Sequence, residues 1–176
     1  MMASRSECHL HCPDNDDIQS FLRAGINVMA LACPDAMKTA CGYIAEDGRF
    51  EHDPRSEKWF AFEEFGAGDI IFWRRATDTL TSFYGWAFAL GEDRITEPGA
   101  YSFDCALNIF AGPLEWLRAK RDGIVVLPDK WPFAFDRLRD CPRIAIAEQL
   151  LPAYRSYMKP LRMPELLVIP AAKRAA

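Results

Sequence analysis

Residues 57–75, "EKWFAFEEFGAGDIIFWRR", decide the fold of this chain. From Glu57 onward the side chains alternate, with Trp59 and Ala61 on one side and Phe60 and Phe62 on the other. Both sides are apolar, so the spacing predicts a strand covered on both faces. "GDIIFWRR" predicts a second strand, and the Gly-Ala-Gly stretch before it reads as a turn. That stretch lacks the third glycine of a dinucleotide-binding fingerprint and leads into a strand instead of a helix. Nor does it carry the Gly-Lys-Ser/Thr of a phosphate-binding loop.

Working outward, "GYIAEDGRFEH" at 42–52 places Asp47-Gly48 between two β-compatible segments, which predicts a type I′ hairpin. "PDNDDIQSFLRAG" at 13–25 reads as a helix, with Asp14 or Asn15 as its cap, acids in its first turn and Gly25 at its end. "INVMALAC" at 26–33 is a continuous apolar run ended by Pro34, and is expected to be a buried strand. "TSFYGWAFALGED" at 81–93 is expected to be a helix stopped at Gly91.

Beyond residue 100 the elements alternate. "CALNIFA", "IVVLP", "RIAIAE" and "PELLVIP" are expected strands. "PLEWLRAKRDG", "WPFAFDRLRD" and "LLPAYRSYMK" are expected helices, the first with Pro at its start and Gly123 at its end. The fold class is therefore α/β (or α+β). A single domain over 13–170 is expected to hold a mixed sheet, with an N-terminal antiparallel hairpin portion and a C-terminal βαβαβαβ alternation. Residues 1–12 are expected to form a flexible N-terminal segment and 171–176 a frayed tail.

Composition sets further bounds. The 176 residues are 50% hydrophobic, with 5 Trp, 12 Phe and 5 Tyr, which suits one packed domain and not a disordered chain. No apolar run approaches the ~20 residues of a spanning helix, so a membrane is not an expected partner. "MMASRSECHLHC" contains no apolar leader core, and cytoplasmic residence is the expectation. The net charge of −4 is uneven: residues 1–66 hold 6 Lys or Arg against 12 Asp or Glu, and residues 67–176 hold 15 against 13. An acidic N-terminal third disfavours general duplex binding and suits a basic partner surface.

Two of the three histidines fall in "ECHLHC", which puts Cys8, His9, His11 and Cys12 within five positions. Zinc takes four N or S ligands in a tetrahedron. No single backbone conformation aims all four of these at one point, so a zinc site needs distant ligands, with Cys33, Cys41 and His52 as candidates. The separated second pair of a zinc motif is missing, and the expectation is no cofactor. The 6 cysteines include no Cys-x-x-Cys, and Asp35 beside Cys33 would raise a thiol pKa, so buried inert thiols are expected. There is no Gly-x-Ser-x-Gly elbow. Adjacent carboxylates such as Glu63/Glu64 and Asp16/Asp17 point apart on regular elements. Candidate binding residues are the cations Arg74, Arg75, Arg118, Lys120 and Arg121, together with Trp116 and Trp131 if these face solvent.

The segments "GDIIFWRR", "YGWAFALG", "PGAYSF" and "PLEWLRAKRDGIVVLP", in that order over residues 66–127, resemble small proteins of proteobacterial phages, prophages and related mobile elements. The resemblance implies a genomic setting and carries over no catalytic residue. The expected function is that of a phage or mobile-element accessory protein that binds a host or phage protein complex, with an anti-defence inhibitor as one version. Two other readings stay open. One is a small enzyme using Cys/His or carboxylates, with zinc as its metal. The other is a degenerate toprim-like nucleic-acid accessory, whose Asp129 and Glu148 follow strands but whose Asp-x-Asp pair is absent.

Overall fold

The computed structural model describes residues 8–159. The chain opens with helix α1 (Asn15–Arg23), held by a reciprocal capping box between Asp14 and Asp17 and closed by Gly25 at φ +80°. "INVMALAC" is not the expected strand. Asn27 accepts the Met29 N–H at 2.8 Å and starts a second short helix, α2 (Val28–Ala32). A local cap decided what a short apolar run left ambiguous.

A five-stranded antiparallel sheet follows, built from β1 (Lys38–Ile44), β2 (Phe50–His52), β3 (Glu57–Glu64), β4 (Asp69–Arg74) and β5 (Thr79–Ser82). Its order is β2-β1-β3-β4-β5. The β1–β2 hairpin turns through Glu46–Gly48 instead of the expected two-residue type I′ turn. Ala45 pairs with Arg49, and of the turn residues only Gly48 has positive φ, +79°. This is the three-residue turn that ends in a left-handed glycine.

The alternation read from 57–75 is observed. Phe60, Phe62, Ile71 and Trp73 pack on one face with Phe21, Leu31, Trp116 and Leu117. Trp59, Ala61 and Phe72 pack on the other with Ala40, Phe50 and Phe83. On a flat sheet, β2 and β4 would lie three strand spacings apart, about 14 Å. Yet the Phe50 ring on β2 stacks on Phe72 of β4 with centroids 3.6 Å apart. The sheet is therefore rolled. Gly42 is where β1 lets it roll: a Cβ there would lie 2.3 Å from the Phe50 ring and 2.3 Å from the Glu51 carbonyl oxygen. The Thr81 hydroxyl on β5 donates to the Gly48 carbonyl at 2.7 Å and ties the far edge back to the first hairpin.

The expected helix over 81–93 is absent. Residues 84–87 form a loop whose N–H groups are taken by the buried Asp69 carboxylate: Tyr84 at 2.8 Å, Trp86 at 2.7 Å and Ala87 at 3.0 Å. With these donors committed to a side chain, no helical ladder forms, and the chain continues as β6 (Ala89–Leu90).

The C-terminal half contains β7 (Leu107–Ile109), α3 (Pro113–Arg118), β8 (Val125–Val126), α4 (Ala134–Leu138), β9 (Ile144–Ile146) and α5 (Leu151–Tyr157). Short strands and helices are both present here, but the expected βαβαβαβ arrangement is not established. β8 pairs antiparallel with β6 and β7 pairs parallel with β9, and a parallel bridge between Ile109 and Ile124 links the two ladders. The expected strand "PELLVIP" and the expected tail lie outside the described residues. At the N-terminal end, His11 exchanges two backbone hydrogen bonds of 2.8 Å with Thr39 of β1. Among the described residues no helix is long and apolar enough to cross a membrane.

Gly42→Ala tests the rolled sheet. The added methyl meets backbone as well as a ring, so chemical denaturation should show a loss of about 1–3 kcal/mol. An unchanged midpoint would mean that the sheet does not bend there.

Candidate functional site

A cavity of about 400 Å³ opens where the end of β3 meets the turn after α3 and the Pro34–Asp35 loop. Its inner wall is aromatic. Trp116 of α3 is buried, meets Phe62 edge-on with centroids 5.5 Å apart, and donates its indole N–H to the Gly123 carbonyl at 2.8 Å. Gly91 sits against this contact, and a Cβ there would lie 2.6 Å from the Gly123 oxygen.

Helix α3 ends in a Schellman motif. The Lys120 N–H bonds to Leu117 O at 3.0 Å and the Arg121 N–H to Trp116 O at 2.9 Å. The left-handed seat usually taken by glycine is filled by Lys120 at φ +56°, and Arg121 follows at φ +61°. Two consecutive left-handed residues with side chains are strained. The strained turn folds Arg121 back over the helix. Only 9% of Arg121 is exposed, and its guanidinium lies 5.3 Å from the ring centroids of both Phe62 and Trp116. Its Nη1 donates to the Asp35 carbonyl at 2.9 Å. Its Nε and Nη2 are buried without a hydrogen-bond partner among the described residues. Burial pulls the Arg121 pKa below its ordinary value, while Glu64, Asp35 and Cys33 oppose that fall.

Glu64 supplies the second buried charge and is 7% exposed. It occupies the phase of Phe60 and Phe62 on β3, so it points to the apolar side, whereas Glu63 is half-buried. One of its oxygens accepts the Gly91 N–H at 2.7 Å and the other the Glu92 N–H at 3.3 Å. Burial pushes its pKa up to about 7, against the pull of the Gly91 N–H; Asp93 and Asp35 add to the rise, and Arg121 opposes it. The rim is acidic, and Arg94 is already held by Glu97 and Asp122. No hydroxyl, thiol or imidazole group is among the side chains that line the cavity.

Of the candidate binding residues, Trp116, Lys120 and Arg121 come together at this cavity. The others lie elsewhere. Arg118 donates its Nε to Ala24 O at 3.0 Å. Arg74 pairs with Glu57 and lies over Trp59, and Arg75 donates to the Ser20 hydroxyl at 2.6 Å over the Phe21 ring. Trp131 is buried in a second core with Leu107, Ile109 and Leu138. In the N-terminal stretch His9, His11 and Cys12 are exposed, and Cys8 is half-buried with its thiol pKa pushed up to about 11 by burial. The His9 and His52 rings meet edge-on at 5.6 Å. Among the described residues no group of three or more His, Cys, Asp or Glu is placed to hold a metal ion.

From the sequence Glu64 stands only as one of an adjacent pair with Glu63 and not as a candidate site residue. The signal was present: a carboxylate in the apolar phase of a strand is a buried charge that must find partners. Comparison with protein-family models, with curated proteins and with solved structures finds no match.

Two predictions follow from this geometry. The folded-state pKa of Glu64 lies above its ordinary value of 4.5, at about 7. The folded protein therefore binds this proton more tightly than the unfolded chain, and the associated stability is present below about pH 4.5 and lost as pH rises through 7. Relative to Glu64→Gln, the wild type should lose up to about 3 kcal/mol between pH 4.5 and 8, read by urea denaturation. A constant difference would show that Glu64 is not a titrating buried acid. Lys120→Gly should raise stability by about 1 kcal/mol by relieving the left-handed turn; a loss of stability would remove the strain.

Proposed function

We propose that this chain works by binding a protein partner and not by catalysis. It is a cytoplasmic accessory protein in the phage or mobile-element setting that its 66–127 segment suggests, and inhibition of a host complex is the concrete version. The observation that carries this reading is the Arg121 cavity and what adjoins it. A buried guanidinium with unused donors sits beside aromatic side chains left in water. Phe65, in the β3–β4 turn on the cavity rim, is 65% exposed, as is Trp86. Tyr84 stacks on Trp86 with centroids 4.6 Å apart, and Trp86 lies against Gly68 of the same turn. Exposed Trp, Tyr and Phe around an Arg pocket have the composition of an interface hot spot. The nucleic-acid reading is less favoured, because Arg118 donates to the Ala24 carbonyl and Arg121 is buried away from the surface that a phosphate backbone would meet.

One observation favours an enzyme: a carboxyl group titrating near neutrality in a cleft. Against it, each Glu64 oxygen already holds a backbone N–H.

Calorimetric titration of the purified chain against purified host protein complexes separates these readings. Saturable binding weakened at least about tenfold by Trp86→Ala, with the fold intact by circular dichroism, is the expected result. No binding to any complex, with turnover of a small substrate that Glu64→Gln abolishes, would overturn the reading.

A further inference from the structure

Arg121 leaves one chemical demand open. A guanidinium has five N–H donors in a fixed plane. Its Nη1 donates to Asp35 O, and the Phe62 and Trp116 rings flank the group. The two unpartnered nitrogens, Nε and Nη2, are neighbours on one edge, where their N–H bonds run side by side. Two parallel donors on one edge match the two oxygens of a carboxylate. The nearby acid that could have filled this edge, Glu64, is occupied by Gly91 and Glu92. Glu64 and Asp35 lie near enough to act on the Arg121 charge, but buried N–H groups without acceptors are unfavourable, so an acceptor that reaches this edge relieves that cost as well as forming a charge-assisted pair.

We propose that the Arg121 cavity is a receptor for a carboxylate carried on an apolar body, with the Nε–Nη2 edge of Arg121 receiving both oxygens. This rests on the binding reading above and names the group recognised. The apolar body follows from the walls: Phe62, Trp116 and Phe65 offer ring surface and no further polar anchor. A single negative charge follows from the rim. Asp35, Glu63, Asp93, Glu97 and Asp122 outnumber the exposed Lys120 around the opening, and Arg94 is already held by Glu97 and Asp122, so a phosphate dianion meets more repulsion than a monoanion does. Neither donor nitrogen is reached by solvent. The carboxylate enters by moving the Pro34–Asp35 wall, whose flanking residues Cys33, Pro34 and Ala36 are exposed and whose hold on Arg121 is the single Asp35 bond. The carboxylate has two sources with one chemistry: a free small acid, or the C-terminal residue of a protein partner.

The test uses the full chain and four named probes: N-acetyl-phenylalanine, its amide, a hexapeptide ending in Phe with a free carboxyl group, and inorganic phosphate. Binding is read by calorimetry and by the ¹⁵N-correlated Nε–H resonance of Arg121. The acid or the peptide should bind more tightly than about 1 mM, and the amide at least about tenfold more weakly. The Arg121 Nε–H resonance should move downfield with saturation. Arg121→Lys should lose the acid-over-amide preference with its circular dichroism unchanged, which separates loss of the fork from loss of the fold, and Phe133→Ala, at an exposed position outside the cavity lining, should keep the preference. Saturation by N-acetyl-phenylalanine itself identifies a small acid as sufficient. Binding of the peptide alone identifies a protein C-terminus. Equal affinity for acid and amide, tighter binding of phosphate, or no binding by any probe overturns the proposal. Failure here with Trp86-dependent capture of a host complex intact removes the carboxylate and leaves the binding reading standing; failure of both removes both.

Discussion

Two buried carboxylates at one end of one hairpin hold the cavity-bearing part of this molecule in place. Glu64 closes β3, Asp69 opens β4, and the two are paired residues across the ladder. Their oxygens reach forward in sequence and collect the backbone N–H groups of Tyr84, Trp86, Ala87, Gly91 and Glu92. A segment with little regular structure of its own is thereby fixed against the sheet. Charge-assisted bonds to backbone N–H groups are among the stronger hydrogen bonds in a protein, and both accepting carboxylates are buried. The position of Gly91 against Trp116, the set of the cavity and the presentation of Trp86 all follow from that anchorage.

The hairpin can carry this load because it lies in the middle of a sheet covered on both faces. On one side Phe60, Phe62, Ile71 and Trp73 meet the helices; on the other Phe50, Trp59 and Phe72 fill the inside of the roll. The packing of the two faces determines where the end of β3 points, and with it where Glu64 and Phe65 are delivered. The cavity is thus a boundary feature, formed where the sheet ends, helix α3 stops and the Pro34–Asp35 loop closes over the gap. Strain is concentrated at the same place, in the left-handed pair Lys120 and Arg121. A turn built for stability alone would carry glycine at Lys120. Instead the backbone holds a strained shape that points a guanidinium at aromatic rings.

What could be read from the sequence was what depends on neighbours. The alternation of 59–62, the cap and stop of α1, and a turn at Gly48 are set by residues within a few positions of one another. Where the deciding partner was distant or strictly local in another sense, the reading failed. The run 26–33 became helical because of Asn27, a cap that the apolar pattern obscured. The stretch 81–93 stayed unwound because its N–H groups go to acids that lie 15–28 residues earlier. The mixture of helices and strands was legible, but the arrangement of the C-terminal half and the pairing of β6 with β8 were not, since strand pairing is a long-range choice. For the site, residues 116–121 were singled out for their aromatic and basic character as a surface. That Arg121 is buried, turned back and half-satisfied depends on Phe62, Asp35 and Glu64, none of which is near it in sequence.

The anchorage by Glu64 and Asp69 is tested most directly by amide hydrogen exchange in the native protein. The N–H groups of Tyr84, Trp86, Ala87, Gly91 and Glu92 should exchange as slowly as those of the β3–β4 ladder, because they open only when it does. Exchange of these amides at the rate of an exposed loop, with the ladder still protected, would contradict it.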